Sequence, residues 1–377
     1  MICLTEYQTT TVELNHDEAA EFTAFTKGGT RASGQPRVIE RFTIHPDGYD
    51  VTPGPYVGRF RLRSGRVVDI ASRFAFHDLA QLLGLGDKAA LIREPATAAT
   101  GGTGLMDLIA LAFVREAERV VGQGLEKGYQ RQTFTRPPYA GVPAVTAHLN
   151  THAARPDRLV TTARRLTTNI PINQLVAAAH RQLAQLTYQD RNLATRLGAL
   201  GPAFRQLSPM TGPTAPIPAT ARYRDIHDLA LLILDARTSL PTANGIAGVG
   251  VLFNMTRVWE AYTRCWLARR LGTEAVLREQ HRIPLTDNDP MWEGRADFVV
   301  ESDGRPSAVY DAKYRPWQRR PKTSELYQLL AYTQRLGVSY AALLHPATTP
   351  DKGTFTVGDT TIDTIAIDIT RTWRSSS

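Results

Sequence analysis

The sequence predicts an α+β protein in two successive parts: a β-rich and helical region over residues 1–240, then a compact domain over 241–377 with the order αβββαβ. Three observations carry this. Short β-like runs separated by turn residues crowd the first 75 positions, apolar residues recur at helical spacing in several later segments, and the last third alternates helices with strand-like runs. A chain of 377 residues has room for more than one core.

Arg37–Ile44, Tyr56–Leu62 and Val67–Ile70 read as strands, with His45-Pro46-Asp47-Gly48 and Ser64-Gly65 supplying the turns. Asp78–Leu83 reads as a short helix, Asp78 capping it and Gly84 and Gly86 stopping it. Ala96–Gly104 is a Thr/Ala/Gly loop. Leu105–Val121 carries Leu105, Leu108, Ile109, Ala112, Phe113, Ala117 and Val120 on one face, the spacing of an amphipathic helix. Residues 132–150 hold prolines and short β runs, and Asn173–Leu186 is again helical. Ala199–Thr220 reads as a proline-rich connection without regular structure. Asp225–Ala236 is a third helix, and 239–249 (SLPTANGIAGV) reads as a linker, which places the domain boundary near 240.

Beyond it, Leu252–Leu271 predicts a helix ended by Gly272, and Ala275–Leu285, Ala296–Glu301 and Ser307–Tyr314 predict strands. Ser324–Leu336 predicts a helix with Thr323 or Ser324 as N-cap, Glu325 in its first turn and Gly337 as its stop. Val338–Leu344 reads as a buried strand, with further β signal over 354–369. No internal repeat is visible.

Charge and composition exclude several classes. The net charge is +8, from 44 Lys plus Arg against 36 Asp plus Glu, and only six of the 44 are lysines. Arginine's planar fork suits phosphates and so points to a nucleic-acid partner, while a GC-rich genome gives the same Arg-for-Lys bias. No run of about 18 apolar residues occurs and the N-terminus turns acidic early, so neither a membrane span nor a signal peptide is expected, and the chain is placed in the cytoplasm. Cys3 and Cys265 lie far apart, which argues against a disulfide framework or a cysteine zinc site. The nine histidines lack HxH and HExxH spacing; His281 and His345 read as structural or exposed. Thr100–Gly104 lacks the GK[ST] ending and no GxSxG occurs, so the chain does not read as an NTPase or a serine hydrolase.

One constellation carries chemistry. Ser302-Asp303-Gly304-Arg305-Pro306 is a turn, and a hairpin centred on Gly304 sets Asp297 opposite Asp311. Lys313, two residues on, falls on the same face by the strand period. Adjacent carboxylates repel unless a cation lies between them, so they suit Mg²⁺, with Mn²⁺ as the alternative. Glu260, on an otherwise apolar and aromatic helix, is a candidate third carboxylate for the ion. Gln328 and Tyr332 are four apart and share one face of the later helix.

Together, Asp297, Asp311-Ala312-Lys313 and the Gln328-Leu329-Leu330-Ala331-Tyr332 pattern resemble the PD-(D/E)xK nuclease superfamily in its RecB-like or McrC-like form. Val309–Tyr314, Phe253-Asn254-Met255 with Trp259-Glu260, and Val338–Leu344 are similar to McrC, the nuclease subunit of McrBC-type (type IV) restriction systems that act on modified DNA. Tyr56-Val57-Gly58, Leu105–Gly124 with Tyr129, and Thr168–Asn173 resemble further family segments. Ala71-Ser72-Arg73-Phe74 departs from the family's Pro-Lys pair there, and Ala296 replaces a proline. The resemblance implies a Mg²⁺-dependent endonuclease of double-stranded DNA in which Glu260, Asp297 and Asp311 hold the metal, Lys313 positions or activates water, and Gln328 and Tyr332 orient the site or touch DNA. It also implies a McrB-like AAA+ GTPase hexamer as partner, which binds the GTP and is stimulated by the region over 1–240. The rival readings are an activator or plug of a AAA+ ring with little nuclease role, and a stand-alone RecB-like or Mrr-like nuclease.

Overall fold

The structure is a computed structural model that describes residues 1–27, 37–74, 105–152, 155, 157–188, 190–210, 217, 219–240, 248–271, 275–289 and 291–370. The chain opens with β1 (Ile2–Thr5), β2 (Thr10–Val12), α1 (His16–Lys27), β3 (Ile39–His45), β4 (Gly48–Pro53), β5 (Tyr56–Arg61) and β6 (Val67–Ala71). The middle holds α2 (Leu105–Gly122), β7 (Gly128–Phe134), β8 (Val142–Pro143), α3 (Val145–His152), β9 (Thr161–Thr167), α4 (Pro171–Ala184), α5 (Arg191–Phe204) and α6 (Arg224–Asp235). Then come β10 (Arg237–Leu240), β11 (Gly248–Asn254), α7 (Met255–Leu271), β12 (Ala275–Pro284), β13 (Glu293–Ser302), β14 (Arg305–Ala312), α8 (Thr323–Leu336), β15 (Tyr340–Ala347), β16 (Asp351–Val357) and β17 (Thr360–Asp368). The chain is therefore α+β, as its patterning predicts. The expected helix at Asp78–Leu83 and the loop at Ala96–Gly104 lie outside the described residues. No helix among the described residues is long and apolar enough to cross a membrane.

Two compact units form, one from Met1–Leu105 with Thr238–Ser377 and the other from Met106–Arg237. The chain changes unit close to the expected boundary at 240, but the units are not sequential: the first hundred residues join the C-terminal part. The cause is strand pairing. A five-stranded sheet runs β1-β6-β5-β11-β10, with β11 antiparallel to β5 from Gly250 opposite Phe60 to Asn254 opposite Tyr56. The approach is close enough that Gly58, at φ +142°, has room for no side chain; a Cβ there would lie 2.1 Å from the Val251 carbonyl oxygen. Phe22 and Phe25 of α1 pack with Ile2, Leu4, Phe60 and Leu252 in the core of this part.

The second sheet of this unit runs β12-β13-β14-β15-β17-β16. Its first three strands are antiparallel, whereas β14, β15 and β17 are mutually parallel. Leu329 and Tyr332 of α8 pack onto Ile283, Val299, Val309 and Leu343. On α7, Trp259 is fully buried and its indole N–H donates to the Leu344 carbonyl at 2.9 Å, pinning the helix to β15. In the other unit, α4 buries Leu175, Val176 and Leu183, α5 buries Leu193, Leu197, Leu200 and Phe204, and α6 buries Ile226, Leu229 and Ile233. A small sheet of order β7-β9-β8 completes it.

Several elements differ from expectation for local reasons. The helix expected from Leu252 begins at Met255, because Leu252 and Phe253 pair with β5 and Asn254 caps the helix, its Oδ1 accepting from Thr256 N–H at 3.1 Å. The linker expected over 239–249 is flanked by β10 and β11, neighbours in one sheet. Ala199–Phe204 is helical despite Pro202, because α5 starts at the Asp190 cap and keeps an apolar stripe to Phe204, with the proline in its last turn. Helix α1 carries no clear periodic signature in the sequence: buried Glu18 and Glu21 interrupt its apolar pattern, although Asn15 and Glu18 form a reciprocal cap. Helix α3 buries no side chain and so shows no stripe to read. The α8 N-cap is Lys322 rather than Thr323 or Ser324, with Glu325 accepting from the Lys322 N–H at 2.9 Å.

Candidate active site

The β13–β14 hairpin forms at its Asp-Gly turn, which pairs Ser302 with Arg305, and a bulge between Val300 and Glu301 then shifts the ladder by one residue. Asp303 and Gly304 both take positive φ, 53° and 71°, the arrangement that matches the twist of paired strands. Phe298 pairs with Tyr310 and Val299 with Val309, so Asp297 and Asp311 are the next positions along the ladder. Their side chains meet: Asp297 Oδ2 accepts from the Ala312 N–H at 2.8 Å, and the charge of Asp297 acts on Asp311. Lys313 forms an ion pair with Asp311 from the same strand end, and its own N–H donates to the Leu344 carbonyl at 2.9 Å.

Burial dominates the electrostatics. Asp311 is 2% exposed, and desolvation pushes its pKa up to about 7, Lys313 opposing the shift and Asp297 adding to it. Desolvation also raises Asp297, against the Ala312 N–H, and raises Glu260, against the charge of Arg295. For Lys313, burial acts to lower the pKa, but the charge and hydrogen bond of Asp311 outweigh it and the ammonium is held above its usual range. The site is thus a crowded acid pair with a firmly charged lysine beside it.

Glu260 comes from α7, and Gln280 Nε2 lies 3.4 Å from both Glu260 Oε2 and Asp297 Oδ1. Asp297, Asp311, Lys313 and Glu260 are therefore brought together. Gln328 and Tyr332 are not directed at the acids: Gln328 donates to the Tyr332 hydroxyl at 3.0 Å, which accepts from the Arg295 N–H at 3.1 Å and donates to the Arg295 carbonyl at 3.2 Å. This face of α8 braces β13 two residues before Asp297. Gly294 lies under the Tyr332 ring, where a Cβ would fall 2.3 Å from Cε1.

One residue of the site is unmarked in the sequence. Gln280 stands opposite Asp297 on β12, and the register argument carried one strand further reaches it, but the β12–β13 loop has no Asp-Gly turn to mark its centre. Of the two alternatives for His345, structural or exposed, the first holds: it is fully buried on β15, and burial pushes its pKa down to about 3. Ser72 and Arg73 turn inward: the Ser72 hydroxyl and Arg73 N–H donate to the buried Glu6 carboxylate at 2.9 and 3.1 Å, which also accepts from the Tyr314 hydroxyl at 2.8 Å. The Arg73 guanidinium lies over the rings of Tyr7, Phe74 and Tyr314 at 5.3, 4.6 and 4.7 Å. Tyr7 donates to the Tyr314 carbonyl at 2.7 Å, so the residue after Lys313 is held from both sides.

The acids form an all-oxygen donor set, as a hard divalent cation requires. Among the described residues no three acids or histidines stand as a ready-made ligand cage.

The fold is similar, at TM-score 0.57 and 16% identity over 97% of this chain and 94% of the other, to a chain of a half-complex from the tetradecameric assembly of Thermococcus gammatolerans McrB AAA+ hexamers with bound McrC. A chain of the Thermococcus gammatolerans McrBC complex matches at TM-score 0.45 and 14% identity over 74% of this chain and 89% of the other. No curated protein matches. The model of the McrBC 5-methylcytosine restriction system component matches residues 51–346, a span that holds all of the converging acids and Lys313, and the chain belongs to that family.

Proposed function

We propose that this chain is the nuclease subunit of a McrBC-type restriction system, a PD-(D/E)xK endonuclease that hydrolyses phosphodiesters of methylcytosine-containing DNA with Mg²⁺ or Mn²⁺. The observation that carries this is the convergence of Asp297, Asp311 and Lys313 at adjacent strand ends, with Glu260 reaching them from α7. Asp297 and Asp311 would hold the ion, with Glu260 as third acid. Bound there, a divalent cation supplies Lewis-acid stabilisation of phosphate charge and a water of lowered pKa. Lys313, fixed by Asp311 and by its backbone bond to β15, keeps a positive charge where the attacking water and the scissile phosphate meet. The Gln328–Tyr332–Arg295 brace fixes β13, and so Asp297, against α8.

The partner is a McrB-like AAA+ GTPase hexamer that binds the GTP; the similarity to a McrC-bound assembly supports this. So does the surface of the unit over Met106–Arg237, where Tyr129 and Leu166, paired across β7 and β9, are exposed together with Val142, Val145 and Leu149. Of these, the cross-strand pair Tyr129 and Leu166 is the one joined apolar surface, a candidate point of contact for a partner. The excess of arginine suits the DNA backbone, whose contribution falls as salt rises.

The test is cleavage of methylated DNA by the complex reconstituted with its ring partner. Asp311→Ala and Lys313→Ala abolish cutting, as does chelation of divalent ions, while stimulation of the partner's GTP hydrolysis persists. Wild-type cutting by either variant overturns the assignment.

A further inference from the structure

On both sides of Gln280 the β12–β13 ladder is regular, with Glu279 opposite Phe298 and His281 opposite Ala296, which leaves Gln280 opposite Asp297. At that position the pairing lapses and Gln280 takes φ +49°. A left-handed backbone at a non-glycine residue inside a strand is costly and persists where its surroundings enforce it, characteristically at functional sites. The side chain shows what the conformation achieves. The amide is half-buried, and Nε2 lies 3.4 Å from an oxygen of Glu260 on α7 and equally far from one of Asp297 on β13. No other described hydrogen bond joins these two carboxylates, which repel each other and are both held above their usual pKa by burial.

We propose that Gln280 is a positioning residue of the metal site: from a strained point of β12 it holds the carboxylates of Glu260 and Asp297 toward one point, so that they act together on a divalent cation. This rests on reading the acid cluster as a metal site. Two carboxylates left to themselves would splay apart; a neutral amide donor holds them together without adding a charge that competes with the ion. Groups that orient metal ligands in this way typically govern affinity by roughly 10–100-fold.

The test is Mn²⁺ binding to the full-length chain, followed by electron paramagnetic resonance of the free ion, with thermal melting alongside. Gln280→Gly removes both the amide and the backbone strain; Gln280→Asn keeps a residue that tolerates the left-handed conformation but shortens the reach. Both variants weaken Mn²⁺ binding roughly tenfold or more, while Gln280→Gly melts no lower than wild type. Partner-dependent cleavage by either variant recovers at high Mn²⁺, because affinity rather than chemistry is lost. Wild-type affinity in either variant overturns the proposal. Asp311→Ala separates the two levels: if it binds Mn²⁺ as tightly as wild type, the metal-site reading itself fails. If it loses binding while the Gln280 variants keep it, only the role of Gln280 fails.

Discussion

Asp311 and His345 lie on neighbouring strands, and burial moves their pKa values in opposite directions for one reason: a low-dielectric surrounding disfavours whichever form is charged. The carboxyl rises to about 7 and the imidazole falls to about 3. For His345 the consequence is a dependence of stability on pH. The unfolded ring takes a proton near pH 6.5 while the folded ring stays neutral, so stability is intact above that pH and drains away as pH falls from 6.5 toward 3. His345→Leu therefore flattens the fall in denaturant-measured stability across that window; a profile as steep as wild type would refute this. At this scale counting places Asp297, Asp311 and Lys313 on one face. It also reads Val338–Leu344 as a buried strand, but that apolar run stops one residue short of His345, so a polar side chain at its end reads as structural or exposed, and the packing of β15 decides.

Elements were legible where a local rule decides them. The Asp-Gly turn marks the β13–β14 hairpin, although a bulge between Val300 and Glu301 completes its register, and the apolar stripe of α2 makes that helix visible from Leu105 onward. Boundaries failed where a side chain competed with the pattern. Val251–Phe253 continues the apolar run into α7, yet Asn254 ends the strand and starts the helix by accepting the first free N–H groups. Asn254→Ala lowers the stability of the folded chain by about 1 kcal/mol, measured by urea unfolding; because α7 carries Glu260 and Trp259, the proposed nuclease function predicts slower cleavage as well. An unchanged midpoint would mean the cap contributes nothing.

For the whole molecule, the decisive feature is that Met1–Leu105 and Thr238–Ser377 form one unit. The sequence places a complete catalytic domain after residue 240, and that fragment does contain every predicted site residue. It lacks β5, the partner of β11, and it lacks Glu6 and Tyr7, which hold Tyr314 immediately after Lys313. A fragment of residues 241–377 is therefore expected to show no cooperative thermal transition by circular dichroism, whereas the full chain melts cooperatively. A sharp transition in the fragment would show that the C-terminal sheet is self-sufficient. The Ser72-Arg73-Phe74 departure from the family pattern acquires a meaning at this scale, because those residues close over Glu6 and Tyr314.

What the sequence determined alone is the α+β class, the hairpin turn, and the candidacy of two aspartates, a lysine and Glu260 for one site. These follow from turn chemistry and strand periodicity, which act over a few residues. The tertiary structure decided that a bulge after Val300 sets Asp297 opposite Asp311, that Gln280 joins the acids, that Gln328 and Tyr332 act by bracing β13, and that the first strands belong with the last. Those outcomes depend on pairing and packing between segments up to some three hundred residues apart, as from Tyr7 to Tyr314. Contacts of that range are set by which buried surfaces fit, and no local pattern encodes the fit.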